Sequence, residues 1–273
     1  MTSQHRHALI FPREHGAWGI LLVPLASGAA VGVLAGGGSL ALGPLIIAAL
    51  ALFWLRTPVE SWLGTTPMRA HPGEEVRLVR KTVVALAAVA ALALGWLLWG
   101  GRHAQLLWIG AAAALAFLAQ AVLKKRRRNS RVSAQIIGAA GLASAAPAAF
   151  YVATGSVTPM AWDLWIANLL FAVNQIQFVQ LRIHASQPIT RREKFSLGKG
   201  FLAAQTVLMA AIAVAVSLHL FSWYAAVAFL PALIRGFAWF LRRSGPLAVR
   251  ALGWSELGLA ATFGVLLVAG LLH

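Results

Sequence analysis

Nine apolar runs, each close to the length that crosses a bilayer, take up almost the whole 273-residue chain. A spanning helix needs about 20 mostly apolar residues, rising about 1.5 Å each. Within hydrocarbon, every backbone N–H and C=O must be satisfied inside the protein. Continuous apolar runs meet that demand as helices, so the sequence predicts an all-α integral membrane protein. The runs are roughly 15–35, 40–55, 80–99, 104–123, 132–153, 160–182, 197–217, 221–241 and 250–271. Charged residues are 11% of the chain, against about 25% in soluble proteins. That leaves no stretch for a soluble domain, and residues 1–273 read as one transmembrane domain.

The basic residues then orient the bundle. Of 23 Lys and Arg, 22 fall in alternate connections. Arg6 and Arg13 precede the first run. Arg56, Arg69, Arg77, Arg80 and Lys81 follow the second. Six more lie within 124–131, after the fourth. Arg182, Arg191, Arg192, Lys194 and Lys199 follow from the end of the sixth, and the end of the eighth with its loop carries Arg235, Arg242, Arg243 and Arg250. Only Arg102 belongs to the opposite set. Connections rich in Lys and Arg stay cytoplasmic, so the N-terminus is expected inside and the C-terminus outside. The net charge of +16 is then explained by topology and anionic lipid head groups rather than by nucleic acid. The first apolar run reads as a full span and not as a cleavable signal. The absence of cysteine excludes disulfides, thiolate metal sites and cysteine nucleophiles.

Six of the seven acidic residues, Glu14, Glu60, Glu74, Glu75, Glu193 and Glu256, share the basic side, and Asp163 alone does not. Either these carboxylates line a polar mouth or they make local ion pairs. Three polar groupings carry the candidate chemistry. Pro12 to Trp18 brings Arg13, Glu14, His15 and Trp18 to the start of the first run. An anionic head group on Arg13 and His15, with Trp18 on its apolar part, is one reading; interface anchoring is the other. Arg56 and Glu60 lie one helical turn apart if the helix survives Pro58, and Arg69, Arg80 and Lys81 follow. In the sixth run Asn174, Gln177 and Gln180 recur every three residues, before Arg182 and His184. Carboxamides are costly against lipid and are expected to face the interior. Arg235 reaches the same cavity or snorkels to the interface, and Glu256 favours a helix N-terminus. Pro147 and Pro231 are expected to kink the fifth and eighth runs.

Two resemblances follow from these residues. Pro12 to Trp18, then Leu21-Leu22-Val23-Pro24 and Gly28, resemble the opening of the YwiC-like family of bacterial membrane proteins. The layout resembles the UbiA superfamily of intramembrane prenyltransferases: nine spans, an inside N-terminus, and polar loops after spans 2 and 6. The stretches Ile136 to Gly141 and Tyr151 to Gly155 look similar as well. That likeness implies a helical bundle with a cytoplasmic-facing polar cavity, acting on an isoprenoid or lipid with a diphosphate-like head group. It would give catalytic roles to Arg56, Glu60 and Arg182. Substrate binding would fall to Arg13, Glu14, His15, Trp18, Arg69, Arg80, Lys81, Asn174, Gln177 and Gln180. The two Asp-rich Mg²⁺ motifs of UbiA enzymes are absent, and only Glu60 stands as a weak candidate ligand for Mg²⁺. Arg can hold phosphate without a metal. The alternative is a non-enzymatic carrier, transporter or binder of a lipid, quinone or haem-type molecule.

Overall fold

A computed structural model describes residues 9–11, 15–62, 73–99, 104–126, 131–242 and 245–273. Among them no strand occurs. The helices are α1 (His15–Leu34), α2 (Leu42–Trp62), α3 (Glu74–Trp99), α4 (Ala104–Arg126), α5 (Arg131–Ala143), α6 (Ala145–Thr154), α7 (Pro159–His184), α8 (Arg191–Ser217), α9 (Trp223–Val227), α10 (Leu230–Leu241) and α11 (Val249–Leu271). Eight segments are long and apolar enough to cross a membrane when α5–α6 and α9–α10 each count as one. Trp18–Leu34 is a shorter apolar ninth. The nine apolar runs therefore each become helix.

Three details depart from uniform spans, and a proline lies at each. The fifth run breaks at Ser144, three residues before Pro147, and Ser144 Oγ donates to the Gly141 carbonyl (2.6 Å). The eighth run breaks between α9 and α10, where Pro231 falls in the first turn of α10. Proline fits a first turn because no N–H is needed there. The second run, expected to stop near residue 55, instead continues helically through Pro58 to Trp62. Proline removes one i→i−4 bond but does not forbid the helix. Here neighbouring contacts hold the turn: Trp54 Nε1 donates to the Ile10 carbonyl (2.8 Å) and Ser61 Oγ to that of Leu9 (3.3 Å).

In lipid the hydrophobic effect no longer drives helices together, so close packing must. Small residues make that approach possible. α1 packs on α5, α6, α7 and α11. A Cβ on Gly28 of α1 would lie 2.8 Å from Ala146 Cα and collide with α6. Buried alanines Ala146, Ala161, Ala167, Ala228, Ala232 and Ala260 line the largest core. Phe171 and Phe263 stack across it, 4.1 Å between centroids and 13° apart. By contrast α3 packs chiefly on α2 and exposes Leu92, Trp96 and Trp99, as a lipid-facing helix would.

The loops bond to one another in two sets. Leu9 and Ile10 meet α2 near its end. The Leu247 N–H donates to the Ser186 carbonyl (3.0 Å), and Lys194 reaches the end of α10. In the other set, the Gly38 N–H donates to the Ala153 carbonyl (2.8 Å), and Ser222 Oγ to that of Gly270 (2.5 Å). Each bond joins segments to which the basic residues assign the same side.

Candidate functional site

Four helix segments, α7, α8, α10 and α11, build the most polar part of the interior. Arg235 on α10 donates through Nη1 to the Glu256 carboxylate on α11, and through Nη2 to Asn174 Oδ1 on α7 (2.8 Å). The Arg235 guanidinium carbon sits 3.9 Å from the centroid of the Phe178 ring, a cation–π contact that gains strength when desolvated. Gln175 Nε2 donates to the Glu256 backbone carbonyl (2.9 Å). One turn beyond, Lys194 donates to the carbonyls of Trp239 (2.8 Å) and Arg242 (2.6 Å), with its ammonium 4.7 Å from the Trp239 ring centroid. A cation there satisfies the orphan carbonyls that end α10. The capping box of Thr190 and Glu193 starts α8 and sets Lys194 in place.

This network decides between the two readings of Arg235 and adds a partner for Glu256. Arg235 does not snorkel, and Glu256 does not merely favour a helix N-terminus; each is the other's counter-ion. Several atoms nearby stay unpartnered among the described residues: Glu256 Oε1, Gln175 Oε1, Arg235 Nε, Trp239 Nε1 and both amide atoms of Gln205. Gln205 on α8 is fully buried and lies against Gly236, where a Cβ would be 3.1 Å from the Gln205 amide carbon.

The other residues singled out in the sequence do not gather in one place. Arg13, Glu14 and Arg69 lie outside the described residues, as does the side chain of His15, whose backbone begins α1. Trp18 is half-buried and meets Phe53 of α2 edge-on at 4.8 Å. Arg56 Nε donates to Glu60 Oε1 (3.1 Å) along one face of α2. Arg80 and Lys81, with Arg77, line a cleft of about 850 Å³ above Val84 and Ala85 of α3. Gln177 and Gln180 line a second cleft of about 320 Å³ between α5, α7 and α8. Gln180 Nε2 also donates to Gln135 Oε1 of α5 (3.1 Å). Arg182 is half-buried near the end of α7, and Asn174 belongs to the Arg235 network.

Residues 11–150, just over half of the chain, match the model of the family described as YwiC-like protein. The chain belongs to the YwiC-like family. The match takes in α1 to α5 and just over half of α6, while the Arg235–Glu256 network of this YwiC-like protein lies beyond it. No curated protein and no solved structure matches the chain.

The partnership between Arg235 and Glu256 was missed because no local spacing joins residues 21 apart. A signal did exist. Each interrupts an apolar run, and ionisable residues at that depth almost always face a partner.

Proposed function

We propose that this YwiC-like protein binds an isoprenoid or other lipid by an anionic, diphosphate-like head group, as a divergent intramembrane transferase of UbiA-like layout. The observation that carries this reading is the cleft on α3. Arg77, Arg80 and Lys81 stand at i, i+3 and i+4 on one helix face, and Val84 and Ala85 continue that face. Cations at one end and apolar surface below match an amphiphile with a negative head. Such cations would stabilise charge on a departing diphosphate without a metal. In this reading the basic ends of the helices face the cytoplasm of a bacterial inner membrane; the two sets of loop bonds support their sharing one face.

The donor set among the described residues does not fit a multi-Mg²⁺ clamp. Among the described residues no three His, Asp or Glu side chains stand together to hold a metal ion, and Glu60 accepts a bond from Arg56. Head-group neutralisation therefore falls to Arg and Lys. The same engagement of Glu60 favours a second reading, a carrier that holds the lipid without turnover.

The test is binding and consumption of farnesyl or geranylgeranyl diphosphate by purified protein in nanodiscs, with and without Mg²⁺. Arg80→Ala/Lys81→Ala is expected to weaken binding about 10- to 100-fold. Diphosphate release that this variant loses would establish the transferase. Saturable binding without release would point to a carrier or to a missing acceptor substrate. Binding indifferent to the double substitution would remove the α3 cleft from consideration.

A further inference from the structure

We infer that the cleft between α5, α7 and α8 is a second ligand site, which takes a neutral amphiphile by its hydroxyl group. The site is independent of the α3 cleft, since none of its lining residues belongs to α2 or α3. Its chemistry is also different. No Lys, Arg, Asp or Glu is among the described residues that line it. A diphosphate would find no formal counter-charge in that lining.

The polar groups run along one face of α7 as Gln177, Gln180 and His184, at i, i+3 and i+7. His184 Nδ1 lies 2.7 Å from the Gln180 carbonyl. A carbonyl only accepts, so Nδ1 carries the proton, and in the neutral imidazole Nε2 is left as a bare acceptor. Gln180 commits its Nε2 to Gln135, and its Oε1 remains an acceptor. Gln177 contributes both an amide donor and an acceptor. Two acceptors beside one amphoteric amide complement a hydroxyl, which donates once and accepts. The remaining wall is apolar, with Leu181, Leu197 and Phe201, and Gly200 leaves room beside them. A volume of about 320 Å³ lies at the small end of ligand pockets. An isoprenoid or short lipid alcohol fits these terms.

Photo-labelling tests the site. The protein in phosphatidylcholine nanodiscs is irradiated with a farnesol bearing a diazirine on its tail, and adducts are mapped by mass spectrometry. Adducts are expected to concentrate on 177–184 and 197–201. Farnesol should displace the label about tenfold better than farnesyl methyl ether, which lacks the donor, and farnesyl diphosphate should displace it poorly. His184→Ala should reduce the alcohol-over-ether preference to about twofold or less, while His184→Asn, which keeps an acceptor, retains more of it. Because His184 is exposed, both variants should unfold at the wild-type temperature. Equal displacement by the ether would overturn the proposal. So would displacement by the diphosphate as strong as by farnesol, or adducts spread evenly over the lipid-facing helices. The Arg80→Ala/Lys81→Ala variant separates this site from the α3 cleft. It should label like wild type, and loss of labelling there would refute an independent site.

Discussion

Two Arg–Glu pairs in this bundle are built in opposite ways. Arg56 and Glu60 sit one turn apart on α2, with side chains 20% and 27% exposed. Arg235 and Glu256 come from α10 and α11, with side chains 17% and 4% exposed. The first pair needs only a continuous helix. The second needs the tertiary fold, and in return ties α10 and α11 to α7 through Asn174 and Gln175. Solvent or head groups can take over either partner of the first pair. Neither partner of the second can be removed without leaving a charge in a dry interior. The two pairs should therefore answer differently to the same substitutions.

The largest effect is expected from Glu256→Ala. It strands the Arg235 guanidinium with only Asn174 and the Phe178 ring, and should cost about 3–5 kcal/mol. Denaturant-induced unfolding in detergent micelles would show it as a lowered midpoint. A loss below about 1 kcal/mol would mean that Arg235 finds water when its partner goes, and the contrast between the pairs would collapse. Arg235→Met/Glu256→Leu removes both charges together. That double variant should recover most of the loss, since apolar replacement of a buried pair is often neutral or stabilising. The difference from the sum of the single variants should be about 1.5–3 kcal/mol.

Much of the fold was legible because the bilayer imposes simple rules. Run length gave the helices, and Pro147 and Pro231 marked the breaks at Ser144 and before Leu230. The i,i+4 pair on α2 was legible for the same reason: it is local. Pro58 was not decisive, because its effect depends on whether the freed turn is held from outside, here by the contacts with Leu9 and Ile10. The site residues were legible as types but not as neighbours. Asn174, Gln177 and Gln180 read as one stripe, yet the structure divides them. Asn174 turns to Arg235, and the two glutamines turn to the α5–α7–α8 cleft. A spacing of three drifts around a helix of 3.6 residues per turn, so successive positions face different neighbours. Which neighbours these are depends on the packing of helices distant in sequence.

Gln205 sharpens the comparison from the other direction. Its amide is buried beside Gly236 with neither atom partnered among the described residues. A buried polar group without a partner costs about 1–3 kcal/mol. If its role is only to fill space, Gln205→Leu should raise the unfolding midpoint by an amount worth about 1 kcal/mol. A fall instead would show that the amide serves the Arg235 network, and that the buried pair extends onto α8.

The smallest effect belongs to the helical pair. Arg56→Ala and Glu60→Ala should each change stability by about 0.5 kcal/mol or less, the range of exposed i,i+4 pairs. Salt provides the discriminating measurement. Raising ionic strength from about 0.01 M to 1 M shortens the Debye length from about 30 Å to 3 Å, which screens an exposed pair and leaves a buried one almost untouched. The gap between wild type and Arg56→Ala should therefore close in high salt, while that between wild type and Glu256→Ala stays open. A salt-resistant loss at Arg56 larger than about 1 kcal/mol would place that pair in a dry environment. Arg56 and Glu60 would then be a second buried centre, and the difference in construction drawn above would no longer predict a difference in strength.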